Sequence, residues 1–109
     1  MTKGKIVLVP FPFTDLSGQK VRPAVVLSAL ERSDDFIACF ISSKPDRKIN
    51  KTDIQVEPTP ENGLRINSII KVAKIATLEK KIALGEIGSL DQKTTKVLNS
   101  KLKTVFALN

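Results

Sequence analysis

The sequence predicts a single, mainly β domain of the α+β class, built as a small, strongly bent sheet or partial barrel with a helix at its C-terminus. Three observations lead to this prediction. The chain has 109 residues, which suits one domain with a modest core. Five or six short apolar segments alternate with polar turns, and only the final segment repeats its apolar residues at helical intervals. Many short strands followed by a helix favour a curved sheet whose open side the helix covers.

The first half of the chain contains three strand candidates, each rich in apolar or β-branched residues and too short for a helix. They cover residues 5–11, 22–29 and 36–43. The polar segment between the first two contains Gly18 and other turn formers, so we expect an exposed loop there. Pro23 fits only near the beginning of a strand, because proline cannot donate a ladder hydrogen bond. Arg22 therefore lies where an exposed loop meets the second strand.

The second half predicts two or three further strands. Residues 52–58 form a shorter candidate that ends at prolines, and residues 63–78 contain the longest strand. In that strand Ile70, Ile75 and either Val72 or Ala73 are available to the core. Residues 82–88 suit either a final short strand or an extended turn.

One helix is predicted over about residues 90–106. Ser89 followed by Gln92 matches the capping-box pattern, in which side chains bind the free N–H groups of a starting helix. Apolar residues then recur at steps of three and four and form one stripe. The stripe consists of Leu90, Val97, Leu98, Leu102, Val105 and Phe106.

The net charge of +7 is concentrated in the second half of the chain. Residues 1–64 carry nine Lys/Arg against eight Asp/Glu, whereas residues 65–109 carry nine against three. Such a basic surface favours a polyanionic partner, nucleic acid first and an acidic protein second, although lysines that only maintain solubility remain an alternative. The five aromatic residues are all Phe, which argues against a wide base-stacking platform.

Missing residue types exclude several kinds of site. The chain has no histidine and one cysteine, Cys39 in an apolar segment, so neither a zinc site nor a catalytic thiol is expected. No phosphate-binding glycine loop, GxSxG elbow or dinucleotide motif is present. No apolar run is long enough for a membrane span, and the start of the chain suits a first strand better than a signal peptide. A single buried thiol suits a protein of the reducing cytoplasm.

The remaining chemistry relies on arginine, lysine and hydroxyl groups without a metal or cofactor. RNA provides its own nucleophile, since a 2′-OH can attack the adjacent phosphorus and expel the 5′-oxygen. Such a reaction needs a phosphate held in line and its developing charge neutralised. Arg22 and the pair Ser42–Ser43 fit this task if their strand ends converge. Each of these residues also has an ordinary interpretation, as an edge or turn residue, or for Arg22 as an ion-pair partner of Asp15.

The order of motifs resembles the MazF/PemK family of toxin ribonucleases over roughly residues 4–106. The resemblance is strongest in KIVLVPFPFTDLSGQKVRPAVVLS, where a polar loop ends in R-P-A-V-V-L-S. CFISSK resembles the family's I-T-S or I-T-T segment, SIIKVAKIATLEKKI contains a segment similar to its later I-x-T-L, and a C-terminal helix follows.

The resemblance implies an SH3-like, strongly curved sheet and a symmetric homodimer. It also implies metal-independent, sequence-selective cleavage of single-stranded RNA, typically mRNA, with 2′,3′-cyclic phosphate and 5′-hydroxyl products. The implied protein partner is a cognate antitoxin whose acidic, partly disordered tail covers the RNA groove.

The resemblance also assigns residues. The family's loop-end arginine falls on Arg22 and its catalytic hydroxyl on Ser42, where serine replaces the usual threonine. A basic residue and an aspartate of PemK-type members fall on Lys71 and Ala73, so the carboxylate that those proteins use is missing here. The expected RNA contacts are Thr14, Lys20, Ser43, Lys44, Lys71 and Lys74.

Two other function classes fit the same features. One is a catalytically silent SH3-like module that binds RNA or a partner protein. The other is a toxin on the same scaffold that acts on a protein such as DNA gyrase, as CcdB does. A toxin that only binds a protein would not need Arg22 together with Ser42, so this pair of residues is the sequence feature that separates the alternatives.

Overall fold

The secondary structure consists mainly of strands, as the sequence predicts. The computed structural model describes residues 1–10, 20–43 and 48–108. Within this part of the chain the elements are β1 (Lys5–Pro10), β2 (Val21–Ser28), β3 (Asp35–Ser42), β4 (Asp53–Val56), β5 (Ser68–Glu79), the 3-10 helix Lys80–Ile82, β6 (Gly85–Ser89) and α1 (Gln92–Val105). The last short segment, which suits either a strand or an extended turn by sequence, forms strand β6.

The six described strands form one sheet in the order β4-β5-β3-β2-β1-β6. Every neighbouring pair is antiparallel. The sheet curls into a half-barrel, and α1 follows it at the C-terminal end of the chain. The predicted fold class, a strongly curved β-sheet with a C-terminal helix, is confirmed.

The curled sheet buries apolar side chains on both of its faces. We call the side that α1 covers the helix face; it contains Ile6, Val25, Cys39, Ile70 and Leu98. We call the other side the opposite face; it contains Val7, Val9, Ala24, Val26 and Phe40. Because successive side chains of a strand point to alternate faces, the register of these residues fixes the face of every polar neighbour.

Helix α1 begins two residues later than its predicted start. The predicted cap, Ser89, is the last residue of β6, and its N–H donates to the Glu61 carbonyl at 2.9 Å. The true N-cap is Asp91, whose Oδ1 accepts the N–H of Thr94 at 2.7 Å. This hydrogen bond lowers the pKa of the Asp91 carboxyl. The capping-box prediction is wrong because Ser89 belongs to strand β6 and its backbone N–H is hydrogen-bonded to the Glu61 carbonyl.

The apolar stripe of α1 is narrower than its sequence pattern. Leu98 is fully buried, and Leu102 and Val105 pack against the helix-face core. Val97 lies about 100° around the helix from Leu98 and is 38% exposed. Phe106 follows the last helical residue and is 57% exposed.

The connection from β4 to β5 packs against β6, the strand at the opposite edge of the sheet from β4. Asn62 is buried, and its Oδ1 accepts N–H groups from Thr59 at 3.0 Å and Leu64 at 2.9 Å. Gly63 has a φ of +69°, and a Cβ at this position would collide with the Ile87 carbonyl oxygen of β6. The connection therefore ties the strands at the two sheet edges to one another.

The lone cysteine is enclosed in the core. Cys39 lies on the helix face with no exposed surface, and burial raises the pKa of its thiol to about 12. The expectation of a buried thiol is confirmed. Among the described residues, no helix combines the length and the apolar character that a membrane crossing requires.

Candidate active site

Arg22 and Ser42 lie on the same face of two neighbouring strands. Strands β2 and β3 pair with Ala24 opposite Phe40, both on the opposite face. The observed pairing of the two strands ends at Ala24 and Phe40, and the same register continued by two residues would put Arg22 opposite Ser42. The two residues that the sequence assigns to catalysis thus share one face of neighbouring strands.

Both residues are held within the sheet. Arg22 pairs with Val9 of β1, and Ser42 pairs with Ile69 of β5. Each is half-buried, and the Nε atom of Arg22 is shielded from solvent. A guanidinium held at the start of a paired strand is well placed to bind a phosphate oxygen with fixed geometry.

The third residue of this face is Lys71, on the strand beyond Ser42. Lys71 lies opposite Phe40 in β3 and opposite Asp53 in β4, so it is diagonal to Ser42. Its Nζ donates to Asp53 Oδ2 at 2.8 Å. The Asp53 side chain is only 2% exposed, and the same oxygen accepts the Asn50 N–H at 2.8 Å. The ion pair therefore holds the Lys71 ammonium against the sheet rather than leaving it free in solvent.

Asp53 is a polar residue of this face that sequence reasoning missed. In the sequence it lies at the start of a short predicted strand, and nothing nearby indicates that a lysine 18 residues later is its partner. With Asp53 included, the opposite face carries a row across four adjacent strands, β2, β3, β5 and β4. The row is Arg22, Ser42, Lys71 and Asp53.

Removing the two partners of this ion pair should have unequal effects on stability. Lys71→Met leaves the Asp53 carboxylate buried beside a single N–H donor, so we expect the free energy of unfolding to fall by about 2 kcal/mol. Asp53→Asn should cost less, because Lys71 is 17% exposed and its flexible stem can turn the ammonium toward water. Urea denaturation of both variants measures the difference.

The double variant Asp53→Asn/Lys71→Met is the control for this comparison. If the two side chains stabilise each other, it should lose less than the sum of the single variants. Equal losses in the two single variants and an additive double variant would contradict the pairing.

Ala73 and Lys74 lie in a bulge of β5. Cys39 pairs with Ile75 while the next residue, Phe40, pairs with Lys71, so β5 has three extra residues between these pairs. Of the two core candidates, Val72 is fully buried, whereas Ala73 and Lys74 are exposed. Bulges redirect side chains and interrupt pairing. The side chains of residues 72–74 therefore do not follow the regular alternation between the two faces.

The other predicted RNA contacts lie outside the row of Arg22, Ser42, Lys71 and Asp53. Lys20 is exposed, two residues before Arg22. Ser43 follows the last residue of β3 and lines a separate cavity of about 430 Å³ with Val21 and Pro23. We call this the helix-face cavity, because Leu64 of the helix-face core also lines it. The structure therefore does not bring Ser43 together with Arg22. Thr14 and Lys44 lie outside the described residues.

No described group of three or more Asp, Glu or Cys residues is arranged to hold a metal ion. The polar groups of the row are a guanidinium, a hydroxyl, an ammonium and the carboxylate that pairs with it. The guanidinium, the hydroxyl and the ammonium can bind an anionic, phosphate-bearing substrate, while the carboxylate holds the ammonium in place.

A family profile described as PemK-like, MazF-like toxin of type II toxin-antitoxin system matches residues 2–106. The chain belongs to the PemK/MazF toxin family. This family consists of toxins of toxin-antitoxin systems that are known as endoribonucleases. The resemblance seen in the sequence motifs is thus confirmed.

Solved PemK/MazF structures share the fold at low sequence identity. The Mycobacterium tuberculosis toxin MazF-mt6 superposes with a TM-score of 0.78 at 18% identity, over 96% of this chain and 98% of its own. An endoribonuclease in complex with its cognate antitoxin, from a mycobacterial species, also gives 0.78 at 18% identity, over 100% and 97%. MazE-MazF from Deinococcus radiodurans gives 0.74 at 18% identity, over 100% and 98%. No curated protein matches the sequence significantly.

Proposed function

We propose that this protein is the toxin of a type II toxin-antitoxin system and acts as a metal-independent, sequence-selective endoribonuclease on single-stranded RNA, mRNA above all. The observation that supports the proposal is the pairing of Ala24 with Phe40, which puts Arg22 and Ser42, two residues further along their strands, on the same face of the sheet. Family membership over residues 2–106 supports the reaction class. The site of action would be the cytoplasm, where the mRNA substrate lies.

In this proposal the substrate provides the nucleophile and the protein stabilises charge. The 2′-oxygen attacks the neighbouring phosphorus, its proton is released, and the bond from phosphorus to the 5′-oxygen breaks as that oxygen gains a proton. The products are a 2′,3′-cyclic phosphate and a 5′-hydroxyl. Arg22 remains charged at any physiological pH, so its role is to bind the phosphate oxygens as negative charge develops. The Ser42 hydroxyl donates to a nonbridging oxygen or orients the attacking group.

Lys71 and Asp53 add a fixed charge pair beside these groups. Asp53 is buried and bound to Lys71, so its role is to position the lysine rather than to touch RNA. Lys71 retains some exposure and can attract the substrate backbone from its side of Ser42. Lys20 and Lys74, which are exposed, would contact flanking phosphates.

Ala73→Asp tests whether this active site lacks a base. We expect the cleavage rate to stay at the wild-type level, because the proposed mechanism depends on Arg22 and Ser42 and because residue 73 is exposed in the bulge. Ala73→Asn is the matched control for side-chain size without charge. If Ala73→Asp cleaved RNA clearly faster than the wild type and Ala73→Asn did not, a carboxylate base at this position would promote the reaction, and the wild-type protein would lack it.

The protein partners in this proposal are a second copy of the chain and an antitoxin with an acidic tail. Two solved relatives are MazE-MazF assemblies, and another is bound to its cognate antitoxin. A net charge of +7 favours an acidic tail. We expect a homodimer, and light scattering at micromolar concentration should give twice the mass of the 12.0 kDa chain. A mass of one chain would contradict this part of the proposal.

Incubation of the purified protein with a long mRNA in the presence of EDTA tests the function directly. Discrete fragments with 5′-hydroxyl ends are the expected result, with an Arg22→Ala preparation as the control against contaminating nucleases. RNA that is bound and shifted but stays intact would instead indicate a catalytically silent binding module. RNA that is neither bound nor cut would exclude both.

A further inference from the structure

A small cavity lies between β4 and the beginning of β5, at the edge of the sheet. Its volume is about 230 Å³. It is lined by Gln55, Val56, Glu57, Asn67, Ser68 and Ile69. None of these residues belongs to the row Arg22, Ser42, Lys71 and Asp53, so the cavity is separate from the proposed phosphate-binding groups.

The register of the sheet puts this cavity next to Ser42. Ile69 lies directly opposite Ser42 in β3 and directly opposite Gln55 in β4. Gln55 is therefore two strand spacings, about 10 Å, from Ser42 on the same face. Ile69 is only 5% exposed and forms an apolar floor between them. This separation corresponds to the reach from an RNA phosphate across its ribose to the edge of the base.

The exposed polar groups of the cavity suit a neutral base rather than a phosphate. Gln55 and Asn67 each provide an amide with donors and an acceptor, and Glu57 provides a carboxylate that only accepts. In the described part of the chain, no hydrogen bond or ion pair occupies these three side chains. The Ser68 hydroxyl is already donated to the Ile66 carbonyl at 2.9 Å. A carboxylate repels phosphate, but it accepts readily from the amino group of a nucleobase.

We propose that this cavity binds the base of a nucleotide adjacent to the scissile phosphate, and that it selects a base with an exocyclic amino group over uracil. The inference rests on the proposed endoribonuclease function and specifies where part of its sequence selectivity resides. Gln55 and Glu57 are the specificity-determining residues, Asn67 supplements them, and Ile69 supports the base from below.

Profiling of cleavage sites tests this assignment. Wild-type protein, Gln55→Ala and Glu57→Gln are incubated with a pool of RNA of random sequence, and the fragment ends are sequenced. We expect the wild type to disfavour uracil at one position beside the cut. Each variant should lose roughly tenfold to a hundredfold of that discrimination, the usual effect of one base contact. Total cleavage of sites with uracil at that position should stay unchanged.

Glu31→Gln is the matched control, since Glu31 is an exposed carboxylate in the connection between β2 and β3. It should retain the wild-type profile. An unchanged profile in both cavity variants, or a wild type without base preference beside the cut, would overturn the assignment while leaving the nuclease function intact.

Binding measured without cleavage separates the two proposals. In 2′-fluoro oligonucleotides the nucleophile is absent, so fluorescence anisotropy reports binding alone. Wild type should bind sequences containing cytosine, adenine or guanine more tightly than oligouridine, and Glu57→Gln should reduce the difference. If this pattern holds in a protein that does not cut RNA, the base site stands and the nuclease proposal fails. Equal binding of all sequences by the wild type would refute the base site.

Discussion

Arg22→Ala is expected to lower the rate of RNA cleavage by roughly a thousandfold or more. The guanidinium of Arg22 lies on the same face of the sheet as Ser42, and arginines that stabilise phosphoryl transition states contribute effects of this size. Arg22→Lys should recover little of the loss, because an ammonium cannot reproduce the two parallel hydrogen bonds of a guanidinium. Single-turnover cleavage of a defined RNA under saturating protein measures both variants.

The interpretation of this result depends on the folded state of the variant. Arg22 is half-buried, so removing it also removes some packing, and the rate must be measured well below the melting temperature of each variant. Arg65→Ala is a suitable control, since Arg65 is exposed beside the helix-face cavity. The mechanism would be wrong if folded Arg22→Ala cleaved RNA as fast as Arg65→Ala.

The strands of this fold are readable from the sequence because their apolar runs are short and the turns between them are polar. The β2 prediction, 22–29, differs from the observed Val21–Ser28 by one residue at each end, and β3 behaves in the same way. The helix start is less readable, because Ser89 matches the capping-box pattern although the observed N-cap is Asp91. Only the pairing of β6 with β1 decides between them, by keeping Ser89 in the sheet.

The candidate site was predictable only in part, for a physical reason. A residue type at a strand end, such as Arg22 or Ser42, is visible in the sequence. Which strands become neighbours depends on contacts between distant segments, and the observed order places β3 between β2 and β5. The Asp53–Lys71 ion pair and the bulge at Ala73 both follow from this long-range register. Local sequence patterns contain no information on either.

The second large effect is expected at Ser42. Ser42→Ala should slow cleavage roughly a hundredfold, which corresponds to the loss of about 3 kcal/mol from one preorganised donor at a developing charge. Ser42→Thr should stay close to the wild type, because it retains the hydroxyl and because β-branched residues suit a strand. Cleavage rates under single-turnover conditions, together with melting temperatures, measure these differences.

Ser43→Ala provides the control on the neighbouring serine. Ser43 follows Ser42 directly but lines the helix-face cavity, so its removal should leave the rate nearly unchanged. This pair of variants separates a catalytic hydroxyl from a general polar requirement at the end of β3. If Ser43→Ala were as slow as Ser42→Ala, the side of the sheet that carries Arg22 would not be the side on which the RNA reacts. If Ser42→Ala kept full activity and an unchanged melting temperature, the Ser42 hydroxyl would have no catalytic role. The mechanism would then have to rely on the charge of Arg22 alone.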